Sequence, residues 1–514
     1  MADDIAAAPT AVTDEQRLHE LGYAQELLRR MSGFSNFAVS FTIISVLSGC
    51  LTAYALGMEL GGPAIIVWGW PLVGIMTLLV GLSMAEVCSS FPTAGGLYYW
   101  AAKLSPRRGP VWSWFTGWFN FLGQVAVTAG IDFGAALFIN FLFSLWFGFS
   151  VTTHWHTIVI YAAVLLLHGT MNQFGIRLVA LLNNVSVWWH IAGVLIIVGA
   201  VTFGLQSGVH HATPKFVFTG LYNLSGFHIG WWYILPVGLL MAQYTFTGYD
   251  ASAHMTEETH NAARSGPRGI YMSILVSLIA GWVLLIGLTF AIQKSNYVNE
   301  ATAIVAPGQI WIDSIGRTGA ELLLLVAIGA QLFCGMSSVT ANSRMIYAFS
   351  RDGALPGSSF WHRVNKRTRT PTNAIWLAAG GALILGLPYL WNTAAYGAVI
   401  SIAVIGLYVA YVIPTYLRLR QGESFKRGPW HLGRWSYVVG WIAVAWVVFI
   451  FFLFMLPQFG PISWVTFNYA VIAVAVVIGF AGIYWLVSAR NWFTGPKVQG
   501  TAEELAAIEQ ELSA

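Results

Sequence analysis

Few side chains in this 514-residue sequence are equipped for chemistry, and those that are sit in apolar surroundings. Asp132 is the only acid between Lys103 and Asp250. A carboxylate in such a run costs about 2.5–3.5 kcal/mol to insert into a bilayer and is met by a cavity or a partner, so it reads as a cation contact or as a structural hydrogen-bond anchor. His190, in VSVWWHIAGVL, is flanked by Trp188, Trp189 and Ile191. An imidazole, with a reference pKa of about 6.5, takes up or returns a proton near neutral pH; the alternative is a buried histidine making ordinary hydrogen bonds. Two apolar stretches are interrupted by small and polar residues. SFTIISVLSGCLTAYALGMELGGP carries Ser45, Ser48 and Gly49, and YTFTGYDASAHMTEET carries Thr245, Thr247, Gly248 and Asp250. Backbone released from helical pairing inside a membrane is tolerated only where it lines a cavity or meets other protein. The paired interruptions therefore read as a binding site, against the alternative of small residues that simply allow close helix packing.

Other chemistries lack their residues. His154, His156, His210, His211 and His228 have no third convergent ligand, so no metal site is expected. Cys50, Cys88 and Cys334 lie in apolar runs without a CxxC pair, which gives neither a disulfide framework nor a zinc site. No GxxxxGK[ST] sequence is present, so any work is driven by an ion gradient or by exchange. No cofactor is expected. No basic cluster interleaves with aromatics as a nucleic-acid surface would need.

The elements that must position these residues follow from composition. With 57% hydrophobic and 9% charged residues, at mean hydropathy +0.66, the chain is far from the quarter-charged make-up of soluble domains, and a soluble enzyme is excluded. About twelve runs have the length and apolarity of a membrane span: 34–57, 64–90, 111–145, 156–174, 179–204, 232–256, 269–292, 319–349, 373–390, 394–417, 437–456 and 465–487. Placing the N-terminus inside leaves all of the 25 Lys and Arg on the inner side except Lys215, Lys294 and Arg317, as the positive-inside rule requires. The expected organisation is a cytosolic tail over 1–33, one membrane domain over 34–487 and a cytosolic tail over 488–514, in a plasma membrane or bacterial inner membrane. The interruptions fall in the first and sixth spans, corresponding positions of two five-span halves (about 34–204 and 232–417, with 437–487 peripheral), which is the sequence pointer to a transporter site.

The motifs GMELGGP, AEVCSSFPTAGGLYYWAAKLSP, WFTGWFNFLGQVA, FTGYDASAHMTEET and NSRMIYAFSRDGALP together resemble the amino acid–polyamine–organocation permeases. The prefix LHELGYAQELLRRMSGFSNFAVSF is similar to their amino acid and choline branch, which includes 4-aminobutyrate permeases. The resemblance implies an all-α polytopic membrane protein with the leucine-transporter-like fold, two inverted five-helix repeats plus two peripheral helices. It also implies roles. Backbone N–H groups near Leu47, Ser48 and Gly49 would receive a substrate carboxylate at a helix N-terminus. Carbonyls of Ser45, Val46, Tyr244, Thr245 and Phe246 would accept from the ammonium, with Tyr244 and Phe246 as an aromatic lid. Gln124 would face the substrate or bond another helix, and Asp250 would gate or couple. Glu86 would anchor the inner gate. His190 would stand where sodium-coupled members bind the ion, with Ser337 and Ser338 at that site's hydroxyl positions.

The resulting expectation is a secondary active permease for a small amino acid or 4-aminobutyrate-like substrate, proton-coupled and working by alternating access. Alternatives are a choline or other amine transporter, an amino-acid exchanger, or a sodium-coupled symporter. Expected partners are the small-molecule substrate, a proton or sodium ion, and the lipid bilayer. A channel is disfavoured because no repeated pore loop or charged ring is visible, and a receptor because no signalling domain is appended.

Overall fold

A computed structural model describes residues 13–174 and 176–513. Its longer elements are α1 (Gly33–Ile44), α2 (Pro63–Ser90), α3 (Gly109–Phe147), α4 (His154–Gln173), α5 (Ile176–Phe203), α6 (Leu240–Thr245), α7 (Ala262–Phe290), α8 (Ala306–Arg351), α9 (Thr372–Gly386), α10 (Ala394–Gln421), α11 (Ser436–Leu453) and α12 (Ala470–Val487). The only β-type contacts among the described residues are isolated bridges, Met31 with Thr259 and Leu60 with Asn223.

Ten helical stretches among the described residues are long and apolar enough to cross a membrane, and each overlaps an expected span. The other two expected spans behave differently for physical reasons. α4 has the length, 20 residues, but carries His154, His156, His168, Asn172 and Gln173. The sixth is broken into the helix Trp231–Gly238, α6 and the short helix Ala251–His254. The protein is an all-α polytopic membrane protein. Side chains such as Trp188, Leu195, Phe203, Ile279 and Val476 face outward, which water would penalise and lipid accepts.

α3 is buried along most of its length and packs on α8 and α10, while α2 packs on α7, and α1 on α5 and α7. The interrupted stretches are thereby held against the α3, α5, α8 and α10 scaffold.

Residues 13–33, in the segment expected as a cytosolic tail, are docked on the helices. Leu18, Tyr23, Ala24, Leu27 and Met31 are buried, because apolar side chains spaced between the charges dock this segment beneath the helices. Its first helix, Asp14–Glu20, is closed by a Thr13/Gln16 capping box. The C-terminal segment joins it. Gln499 N–H donates to Gly22 O (2.9 Å), Gln25 N–H donates to Glu509 Oε1 (2.6 Å), and His19 pairs with Glu509 (2.8 Å). Residues 1–12 of the expected tail lie outside the described residues.

Candidate functional site

The first interruption is a break of the helix itself. α1 ends at Ser45, whose backbone stands at φ 36° and ψ 88°, and a π-helical turn follows over Val46–Cys50. A serine occupies the left-handed region only when its surroundings hold it there. Here the Ser45 carbonyl accepts from Ser48 N–H (2.9 Å) and Gly49 N–H (2.8 Å), and its Oγ accepts from Ser48 N–H (3.1 Å). Ser45 Oγ also lies 2.6 Å from His190 Nε2. The opposite ring nitrogen, Nδ1, is 2.8 Å from Ser186 O. A carbonyl only accepts, so Nδ1 carries hydrogen, and in the neutral ring Nε2 is the acceptor of the Ser45 hydroxyl proton. His190 is fully buried, and Phe41 meets it edge-on at 5.7 Å.

The second interruption uses different groups. α6 stops at Phe246, whose carbonyl accepts from Tyr408 O–H (2.5 Å), and Thr247 O–H donates to Tyr244 O (2.7 Å). Gly248 stands at φ 83°, a conformation that glycine adopts freely, and its N–H donates to the Tyr411 hydroxyl oxygen (3.3 Å). The helix Ala251–His254 then resumes. Asp250 accepts from Gln124 Nε2 (2.7 Å) and Tyr411 O–H (2.7 Å) and lies 3.2 Å from His254 Nε2. The other nitrogen of His254 is 2.8 Å from Ala94 O. Asn120 completes this cluster, with its Nδ2 drawn 3.3 Å from His254 Nε2.

The two breaks touch. A Cβ on Gly49 would stand 2.7 Å from the Thr245 side chain, and one on Gly248 would collide with Ile43 of α1. Tyr244 lies against Gly130 of α3 with its hydroxyl buried and without a hydrogen-bond partner among the described residues, an acceptor and donor left over in a place where such groups are normally paired. Phe246 does not join it as a lid. It is fully buried and packs on Trp70 of α2 with ring centroids 4.3 Å apart, because two residues on, the chain has turned its side chain to the opposite side of the break. The Ser48 and Gly49 N–H groups expected to meet a carboxylate are satisfied by Ser45, as described above.

The structure separates other expected partners. Ser337 O–H donates to Asn183 Oδ1 of α5 (2.5 Å), whereas Ser338 Oγ bonds Thr128 of α3 (2.9 Å). Consecutive helical residues point about 100° apart, so the two hydroxyls address different helices and neither reaches His190, whose hydroxyl partners are Ser45 and Ser186. Gln124 makes the helix-to-helix bond, pinning α3 to Asp250. Asp132 is paired with His168 of α4 (Oδ1 to Nδ1, 3.0 Å), in space left by the missing side chain of Gly335, where a Cβ would collide with Oδ1. Val46, Leu47 and Thr247 are buried within the breaks.

Beyond the second break, the face carrying both terminal segments is closed by buried ion pairs: Glu258 with Arg344 (2.8 Å), Glu257 with Arg351 (3.1 Å) and Glu86 with Arg418 (3.0 Å). Asp352 accepts from Tyr98 O–H (2.8 Å), Tyr23 O–H (3.0 Å) and Lys497 N–H (3.1 Å). Burial lifts its carboxyl above the usual aspartate range. Sequence reading missed His254, Tyr408, Tyr411, Glu257 and Glu258. A signal for His254 was present, since Asp250 and His254 are four apart and share a helix face; nothing in sequence pointed α10 tyrosines at the break.

Comparison with known proteins agrees with this architecture. The sequence profile of the amino acid permease family matches residues 31–479. The chain is 44% identical over 512 residues to amino-acid permease BAT1 of Arabidopsis thaliana, covering 96% of this chain and 98% of the plant protein. A rice homolog of that permease is 45% identical with the same coverage. The GABA-specific permease of Saccharomyces cerevisiae is 35% identical over 497 residues, covering 95% of this chain and 86% of the yeast protein. A buried polar core of two touching helix breaks, set in an all-helical membrane domain, is thus that of a chain belonging to the amino acid permease family.

Proposed function

We propose that the protein is a secondary active permease that takes a small amino acid or 4-aminobutyrate-like substrate at the two breaks, couples its movement to protons through His190, and crosses the membrane twelve times with both termini cytoplasmic. The observation that carries the coupling is the 2.6 Å contact between His190 Nε2 and Ser45 Oγ. Ser45 also holds the N–H groups of Ser48 and Gly49, so the proton on His190 and the backbone groups offered to a carboxylate share one side chain. Protonation makes Nε2 a donor, and the Ser45 hydroxyl must then turn its own hydrogen elsewhere. The break loosens at the groups the substrate needs. With no lysine or arginine among the break residues, backbone recognition suits the carboxylate, and amide or ester analogues should compete poorly.

The names of the plant and yeast relatives support the substrate class. The distribution of Lys and Arg supports cytoplasmic termini, and the buried ion pairs on that face then form the inner gate. Ser337 and Ser338 bond different helices, an arrangement that supports the proton over the sodium reading. The test is uptake of 4-aminobutyrate and of alanine into proteoliposomes under an imposed pH or sodium gradient. The expected result is accumulation with the pH gradient in the wild type, and exchange without accumulation in His190→Ala. A sodium requirement, or normal accumulation by the variant, overturns the proposal.

A further inference from the structure

On the face that carries both terminal segments, a cavity of about 810 Å³ opens between the loop after the helix Gly96–Lys103, the first turn of α3 and the last turn of α10. Arg107, Arg108 and Arg420 line it, and no carboxylate does. None of the three guanidiniums makes an ion pair or hydrogen bond with a described residue. This differs from Arg344, Arg351 and Arg418 on the same face, each of which meets a glutamate. The three arginines are exposed around the one cavity, and an anion with several oxygens offsets the repulsion of like charges gathered there by accepting forked N–H bonds. Ser105 adds a hydroxyl to the polar side.

The opposite wall is apolar, made by Leu417 and Trp112. Trp112 begins an aromatic row that runs through Tyr416 to Trp441, with ring centroids 6.3 Å apart at both steps. Trp441 and the neighbouring Val111 are exposed. Tryptophan and tyrosine collect at the headgroup level of a bilayer, so this row fixes the depth of the cavity at the membrane surface. A freely soluble anion has no use for the apolar wall; a lipid places its phosphate among the arginines and its glycerol and chains along α3 and α10.

We propose that this cavity is a binding site for the headgroup of an anionic phospholipid, the phosphate held by Arg107, Arg108 and Arg420. The experiment compares the full-length wild type with R107Q/R108Q/R420Q and with R367Q/R427Q/R490Q, a control that removes the same charge from exposed arginines outside the cavity. Each is placed in nanodiscs of phosphatidylcholine containing phosphatidylglycerol, and retained lipid is counted by native mass spectrometry after detergent release, with thermal unfolding recorded to check that all three are folded. The expected result is selective retention of phosphatidylglycerol by the wild type and the control, weakened about a hundredfold in the cavity variant at about fivefold per arginine, and unaffected by inorganic phosphate. Equal retention by both triple variants, no preference over phosphatidylcholine, or displacement by inorganic phosphate would each overturn the assignment.

Discussion

At the first break the released backbone is held by Ser45 and, through it, by His190; at the second it is held by Tyr408, Tyr411 and Asp250. The distinction is in what the neighbouring histidine faces. The Nε2 of His190 meets a hydroxyl, which donates to a neutral ring and accepts from a charged one. His254 meets the Asp250 carboxylate, the Ala94 carbonyl and the Asn120 side-chain amide. One histidine thus faces hydroxyls, whose hydrogen can turn, and the other is held between a carboxylate, a carbonyl and an amide. The two breaks in one membrane domain are held by different kinds of group.

Substitution of the two glycines tests that division most severely. Gly248→Ala puts a side chain at φ 83° and into Ile43, and uptake should fall at least a hundredfold with no second-site remedy. Gly49→Ala meets the Thr245 side chain first, at 2.7 Å, so uptake should also collapse but return in part in Gly49→Ala/Thr245→Gly. Restoration of Gly248→Ala by a smaller residue at Ile43 would show that space, not backbone, decides at both breaks.

Next come the histidines. His190→Ala should lose accumulation driven by a pH gradient while keeping exchange. His254→Ala should cost about 1–3 kcal/mol of stability, because Asp250 and the Ala94 carbonyl each lose a buried hydrogen-bond partner, and should depress accumulation and exchange together. Identical profiles for the two variants would erase the contrast. Ser45→Ala should flatten the pH dependence of uptake and change its rate a few-fold, with Ser45→Thr restoring the slope, whereas Tyr411→Phe should cost about 1–3 kcal/mol and leave the slope alone.

The smallest expected effect is a background that both comparisons share. Glu300 lies outside the breaks and accepts from Gln293 N–H, and burial pushes its carboxyl up to about 8. A raised acid holds a proton in the folded protein that the unfolded chain has released. Its stabilising contribution is therefore full below the ordinary glutamate range and is lost as pH rises towards 8. Thermal unfolding of wild type against Glu300→Gln over this window should show the wild-type slope flattened in the variant.

How much of this was readable beforehand depended on whether a residue's role is local. The spans followed from apolar length, and both interruptions from glycine, serine and threonine placed where a helix prefers other residues. Asp132 and His190 stood out because ionisable groups are rare in such runs. Their partners did not, since His168, Ser45 and Ser186 reach them only through the packing of α3 with α4 and of α1 with α5. The packing of Phe246 on Trp70 was not readable, because the chain turns at the break and sequence spacing cannot follow it. Nor was the docking of residues 13–33, where a few apolar side chains among the charges decide where the segment lies.

The clasp between the two terminal segments has a consequence for how the protein is made. His19 and Glu509 are 490 positions apart, among the greatest separations any contact in this chain spans, and synthesis delivers residues in order at about 5–20 per second. Every membrane helix has left the ribosome before Gln499 and Glu509 are available to bind Gly22 and Gln25. The helices α1–α12 are thus made with this face unfastened, and its fastening waits on the synthesis of residues 499 and 509.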